Sequence, residues 1–437
     1  MSKQDKKELR QQIACEWLEQ NYLNYGSLRH DVVGDRLQVR CAHCIGDGQL
    51  AIGDRQELWR NLTDKDINTM VCQCVTDSSV NISVTEMWTA LKSDLVPAVH
   101  PLREWLNGLR PWSSSEPDWI DMLAQKVVVK DDGQLAIGNR QEYWRKCFKK
   151  WFVAMVASWM KDEVVNHTVL VLVGRQGIYK TTWLDRLMPP ELRAYSSKLP
   201  LSGQISKDDR LRLCENGLLN IDELDAICGR EMNIVKSLLT STDVNERAAY
   251  GRLKERRVRL ASFCASTNNR EFLTDITGNR RWLPFEVESI QNPFDDIILY
   301  ERLYAQAKAY VECGYFAYWF DMDEIEVLEQ HNEKFRALEN EEELLNVYFA
   351  VPAADSMNSK FLTTAEISEK LISAGNIKRP MPLSRLGMIL GQHGFIASRQ
   401  GTPARRGWIV YERDSEEINA ERKLLSRTPI ASTDSIF

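Results

Sequence analysis

No stretch of this 437-residue sequence approaches the roughly 20 consecutive apolar residues that a membrane-crossing helix needs, so the chain is not expected to span a bilayer. Its start, MSKQDKKELRQQ, is charged with no apolar segment behind it, and no secretory leader is expected. Excess positive charge is also missing. The net charge of -6 excludes an overall basic field as the means of holding nucleic acid and leaves that task to local basic patches. The 10 cysteines, in a chain without a leader, read as reduced thiols of a cytoplasmic protein. A solenoid repeat is absent too. Residues 48–60 (GQLAIGDRQELWR) and 133–145 (GQLAIGNRQEYWR) differ only at Asp54/Asn139 and Leu58/Tyr143, but the similarity stops outside them. What remains is 43% hydrophobic and 27% charged, the composition of a soluble globular protein with room for about three domains.

The stretch that organises the rest is residues 169–183, VLVLVGRQGIYKTTW. A β-branched apolar strand, a glycine-bearing loop and a Lys-Thr pair opening a helix are the parts of a phosphate-binding loop. Such a loop turns backbone N–H groups onto phosphate oxygens. The candidate ATP contacts are Gly174, Arg175, Gln176, Gly177, Ile178, Tyr179, Lys180, Thr181 and Thr182. Lys180 would reach the β- and γ-phosphates, and the Thr181 hydroxyl would ligate Mg²⁺. Against the pattern G-x-x-x-x-G-K-[ST], Tyr179 stands where the second glycine belongs, and Gly177 can restore part of the lost backbone freedom. The competing reading is an ordinary strand-turn-helix with a surface lysine.

An apolar strand at 217–221 ends in Asp222-Glu223-Leu224-Asp225. Asp222 would hold the Mg²⁺ shell and Glu223 would polarise the attacking water, with Asp225 competing for either role. The other reading is an acidic helix start, which the helix dipole favours. Residues 245–259 (NERAAYGRLKERRVR) then carry six basic residues, Arg247, Arg252, Lys254, Arg256, Arg257 and Arg259, against two acids. With Tyr250-Gly251 at a hairpin tip, Arg252, Lys254 and Arg256 could grip a phosphate backbone, although such a run alone reads as a solvated charged face. A third strand at 260–265 closes with Ser266-Thr267-Asn268-Asn269, where Asn268 could sense the γ-phosphate. Arg280 and Arg281 follow and could reach a neighbouring subunit's nucleotide as fingers.

Taken together, GRQGIYKTT, IDELD, AYGR, STNNREFLTD and TGNRRWLPFE resemble the virulence-associated protein E family, allied to superfamily 3 helicases and to the helicase halves of phage and plasmid primase-helicases. The resemblance covers residues 100–290. It implies an AAA+-like ATPase core, ring assembly as a homo-oligomer (a hexamer) and ATP-driven work on DNA. By position it assigns Lys180 and Thr181 to the nucleotide loop, Asp222 and Glu223 to the acidic strand end, Asn268 to the sensor and Arg280 or Arg281 to the finger. No primase motif set is present, so any priming would come from a separate partner.

The expected fold class is α/β: a P-loop AAA+-like ATPase core with an N-terminal α+β module and a C-terminal winged-helix domain. The boundaries expected are 1–99 for the N-terminal module, 100–165 for a helical lead-in and 166–290 for the core. A helical region at 291–350, a winged helix at 360–413 and a flexible tail at 414–437 complete the chain. The aromatic-rich helix at 141–160 reads as core, and the acidic stretch 323–347 as a solvated helical face. In the winged helix, Arg385 would sit on the recognition helix, with Arg399, Arg405 and Arg406 on the wing; a protein-binding winged helix is the alternative. Cys41, Cys44, Cys72 and Cys74 could supply four zinc ligands, but the second pair is spaced more tightly than a zinc knuckle prefers, and incidental free thiols are the competing reading. The expected function is an ATP-dependent DNA helicase or translocase of a phage or mobile element. The alternatives are an ATP-switched initiator that does not unwind DNA, and a DNA-binding scaffold with a degenerate nucleotide site.

Overall fold

Capping boxes written into the sequence place the first helices. Ser2 pairs with Asp5 to open α1 (Lys3–Leu18). Strands β1 (Leu28–Asp31), β2 (Arg36–Arg40) and β3 (Trp59–Asn61) follow. Thr63 with Asp66 then opens α2 (Asp64–Ser78), and Ser83 with Glu86 opens α3 (Val84–Leu91). With β4 (Ala98–Val99) these strands make a sheet of order β3-β2-β1-β4. Trp17, Leu18, Leu28, Ile67, Met70, Cys74, Met87 and Leu91 form a core of their own. The computed structural model describes residues 2–40, 59–131, 139–199, 206–221, 224, 229–246, 254–273, 279–295, 297–337, 340–352, 359–375, 377, 380–401 and 404–425. The chain divides into two units, Met1–Arg270 with Asn279–Glu333, and Glu271–Gly278 with Lys334–Phe437.

The rest of the first unit is a mixed α/β layer. Its elements are α4 (Pro101–Asn107), α5 (Trp119–Ala124), β5 (Val127–Val129), α6 (Arg140–Met160), β6 (Val169–Val173), α7 (Lys180–Asp185), β7 (Ser196–Lys198), α8 (Lys207–Glu215), β8 (Leu218–Ile221), α9 (Gly229–Thr240), β9 (Asp243–Glu246), β10 (Glu255–Val258), β11 (Ser262–Thr267), β12 (Trp282–Ile290), α10 (Tyr300–Cys313) and α11 (Met322–Asn332). The central sheet runs β5-β12-β6-β11-β8-β7. All of its pairings are parallel except β5 with β12. Parallel sheets are covered on both faces, which is why β6 is five consecutive buried apolar residues. Helix α6 supplies much of that cover. Trp144, Phe148, Trp151, Phe152 and Trp159 are fully buried. Their polar edges are satisfied, with Trp144, Trp151 and Trp159 donating to the carbonyls of Ala124, Phe263 and Gly217 at 2.9, 3.1 and 3.1 Å. The aromatic stripe is therefore core, as its helical spacing predicted. The lead-in expected to be helical at 100–165 also holds strand β5, and in the helical region expected at 291–350 the first helix starts only at Tyr300.

In the second unit come α12 (Asn340–Tyr348), β13 (Phe349–Ala350), β14 (Ser359–Leu362), α13 (Thr364–Gly375), α14 (Leu383–Gln392), β15 (Ile396–Gln400), β16 (Arg405–Glu412) and α15 (Ser415–Leu425). Strand β16 pairs antiparallel with β13, β14 and β15. Two expectations are corrected here. The stretch after Glu412 is not all frayed: Asp414 and Glu417 cap α15 through reciprocal 2.9 Å bonds. The acidic stretch is not simply a solvated face either. Glu342 is buried, accepting from Arg336 at 2.9 Å and facing His393 at 2.8 Å. Among the described residues no helix is long and apolar enough to cross a membrane.

Candidate functional site

The site forms where β6 ends. Gly174 adopts φ +156°, its N–H donates to Thr267 O at 3.1 Å, and a Cβ there would lie 2.9 Å from Val287 O. Only glycine fits that approach. Gly177 takes φ +85° in open space. Tyr179, the N-cap of α7, stands at φ +66°, ψ 17°. That is the left-handed conformation for which the loop pattern reserves glycine; tyrosine adopts it at a cost of about 1–2 kcal/mol. Its ring meets Phe294 edge-on, with centroids 6.5 Å apart. Arg175 and Gln176 are exposed, and Ile178 packs back onto the core.

Lys180 turns inward and is only 8% exposed. Its Nζ donates to Gly174 O at 2.6 Å, Arg175 O at 2.8 Å and Asn268 Oδ1 at 3.0 Å. Thr181 Oγ1 lies 2.9 Å from Ser266 Oγ. The pairing of Thr267 with Val173 puts Asn268 on the same sheet edge as the loop. The structure thus brings Gly174, Lys180, Thr181 and Asn268 together and adds Ser266. The sequence reading quoted Ser266 without a role; only the β6–β11 register reveals it as the neighbour of Thr181. Strand β8 ends at Ile221, and Asp222, Glu223 and Asp225 lie outside the described residues.

Arg280 and Arg281 are not part of this constellation. They occupy a short turn, Asn279–Arg281, just before β12, whose first residue Trp282 pairs with Val169 at the start of β6. At about 3.3 Å per residue, the length of β6 separates that end from the loop by roughly 16 Å. The turn is pinned by Asn332, which donates to Asn279 O at 2.8 Å and Trp282 O at 3.0 Å.

Strands β9 and β10 pair as an antiparallel hairpin whose tip, with Arg247 and Arg252, lies outside the described residues. Lys254 is exposed, and Arg256 is 77% exposed beside Asp243. Two of its six basic residues are corrected. Arg257 turns back to the carbonyls of Val32 and Val33 and to Glu215. Arg259 is fully buried, donating to the carbonyls of Ala261, Leu238, Leu239, Ser241 and Asn166. Burial pushes its guanidinium pKa down to about 9. The five carbonyls, including the C-terminal end of α9, favour the cation. In the second unit, Arg385 is half-buried in the first turn of α14, whereas Arg399, Arg405 and Arg406 are exposed. Arg399 stands directly opposite Arg406.

Cys41 and Cys44 lie outside the described residues. Cys72 is exposed and Cys74 buried on α2, so the two do not share a face and cannot close one zinc site together. Among the described residues no group of three or more His, Cys, Asp or Glu could hold a metal.

Comparison with solved structures finds the A-form apo structure of the NrS-1 C-terminal region at a TM-score of 0.44 and 10% identity, covering 90% of this chain and 99% of that one. A further apo structure of the same region gives 0.44 and 9%, covering 90% and 97%. Likeness at this level carries no functional argument. No curated protein matches. A family model described as the virulence-associated protein E-like domain matches residues 124–337, from the last residue of α5 through the Gly174–Thr181 loop to just beyond α11, and over that span it bears out the resemblance to the virulence-associated protein E-like family.

Proposed function

We propose that this chain is an ATP-dependent DNA motor, a helicase or translocase serving replication or mobility of a phage or other mobile element. The observation that carries the reading is the convergence of Gly174, Lys180, Thr181, Ser266 and Asn268 on one edge of a parallel sheet. Held there, Lys180 is aimed at the loop that would cradle the β- and γ-phosphates, with Thr181 and Asp222 taking the Mg²⁺ and Glu223 the attacking water. Such a P-loop core hydrolyses ATP by positioning and charge neutralisation rather than by covalent chemistry. The placement of Arg280 and Arg281 at the far end of β6 supports a role in trans: they would complete the site of an adjacent subunit in a ring, a hexamer in our reading. Exposed Lys254 and Arg256, with Arg252, would line the channel and follow single-stranded DNA.

The C-terminal unit, read as a winged helix, would add duplex contacts through Arg385, Arg405 and Arg406. The pairing of Arg399 with Arg406 favours this, because like charges directly opposite on a ladder are unfavourable until a polyanion lies across them. A scaffold with a degenerate site is the second reading, and Tyr179 favours it. Its positive φ weighs the other way, since the loop keeps the backbone path glycine would give.

The test is steady-state ATP hydrolysis with and without single-stranded DNA, for the natural sequence and for Lys180→Ala. Stimulated hydrolysis that the substitution abolishes is the expected result. No hydrolysis above the variant would select the scaffold. Hydrolysis without strand displacement would select a regulator.

A further inference from the structure

Beside the loop is a cavity of about 500 Å³, within the roughly 300–1,000 Å³ range of small-molecule sites. Thr182 of α7, Arg186 just beyond its end, Ser196 and Ser197 of β7, Arg193 and Phe294 are among its walls. Thr182 directly follows Thr181, the last residue of the loop pattern, so the cavity begins where the phosphate contacts would end. Tyr179 and Arg186 cap the two ends of α7, and Phe294 meets the side chains of both. The Tyr179 ring meets Phe294 edge-on at 6.5 Å, and the Arg186 guanidinium stands 5.8 Å from the Phe294 centroid. Phe294 is nevertheless 70% exposed. A ring held by two neighbours yet open to solvent is a stacking platform. Ser197 also lines the cavity, and its Oγ is buried with no hydrogen-bond partner among the described residues. Buried hydroxyls ordinarily have one, so this atom is suited to a ligand's polar edge.

We propose that this cavity takes the nucleoside half of the nucleotide, with the base stacked on Phe294 and a ribose or base edge bonded to Ser197 Oγ. The inference rests on the reading of residues 174–182 as a phosphate loop, but its test separates the two. Isothermal titration calorimetry with Mg²⁺ is run with ATP and with inorganic tripolyphosphate, which carries the phosphates and no nucleoside. The proteins are the natural sequence, Phe294→Ala and Phe294→Trp. Phe294→Ala should weaken ATP about tenfold or more, the scale of one lost base–aromatic stack, and leave tripolyphosphate unchanged. Phe294→Trp should keep ATP within about threefold of the natural protein. An unchanged ATP affinity in Phe294→Ala, or an equal loss for both ligands, overturns the assignment. Tripolyphosphate binding with no advantage for ATP in the natural protein also overturns it while sparing the phosphate loop. Binding of neither ligand overturns the loop reading and this one with it.

Discussion

Replacing Glu324 with glutamine removes a charge and almost no volume, so it isolates one electrostatic term. Glu324 lies in the first turn of α11 with its side chain 17% exposed. It bonds Lys150 Nζ at 2.6 Å and Lys146 Nζ at 2.8 Å. Burial pushes its carboxyl pKa up, but the two ammonium groups outweigh burial and hold it at about 2, against an ordinary 4.5. The folded state therefore prefers the carboxylate. Its contribution is complete above pH 4.5 and fades as pH falls toward 2. The gap between those values corresponds to about 3 kcal/mol at neutral pH, and to about half that near pH 3. Urea unfolding followed by tryptophan fluorescence, at pH 7 and at pH 3, measures both. Glu324→Gln should lose about 3 kcal/mol at pH 7, and its deficit should shrink by about half at pH 3. A deficit under about 1 kcal/mol at pH 7 would place the pair in the class of surface ion pairs and refute the burial argument. A deficit that does not change with pH would refute the linkage. Lys146→Met should cost less than Lys150→Met, because the Lys146 side chain is 56% exposed and that of Lys150 is 9%.

Gly174→Ala places a Cβ 2.9 Å from Val287 O in a backbone conformation alanine avoids, so ATP binding measured by calorimetry should fall by at least about a hundredfold; binding within threefold would show the loop can shift. Arg259→Met leaves five carbonyls without their donor and should cost about 3–5 kcal/mol in urea unfolding, whereas a neutral result would mean that the cation is dispensable. Lys254→Ala with Arg256→Ala should abolish stimulation of hydrolysis by single-stranded DNA and spare basal hydrolysis, because both side chains are exposed; full stimulation would remove the hairpin from the channel.

The loop was legible because its signal is local: an unbroken apolar strand, two glycines and Lys-Thr lie within fifteen residues of sequence. Asn268 was legible because it closes a strand. What sequence hid was decided by distant partners. Arg257 and Arg259 sit in a basic run that reads as solvated, yet their acceptors are the Glu215 carboxylate and the carbonyls of residues 32, 33, 166, 238, 239, 241 and 261. The three residues of β5 become a strand only through β12, more than 150 positions later. The echoed Trp-Arg pair makes the same point. Trp59-Arg60 belongs to a strand, with Arg29 over the Trp59 ring at 4.0 Å, whereas Trp144-Arg145 is helical and packs under the sheet. Local propensity cannot separate two copies of one peptide; the surfaces they meet can.

The chain passes between its two units at three points: after Arg270, before Asn279 and after Glu333. The amide of Asn332 reaches across to the carbonyl of Asn279 and so staples two of those crossings together. Arg280 and Arg281 are the very next residues. Under the proposed function, a displacement of either crossing would bear on the same two guanidinium groups. If the chain forms the proposed ring and its C-terminal units grip a duplex as proposed, tension on that duplex would reach the arginines proposed to act on a neighbour's nucleotide, as on a rope tied to a throttle. Asn332→Ala would cut the staple: hydrolysis should persist and lose its response to DNA, and an unaltered response would mean that the load travels elsewhere.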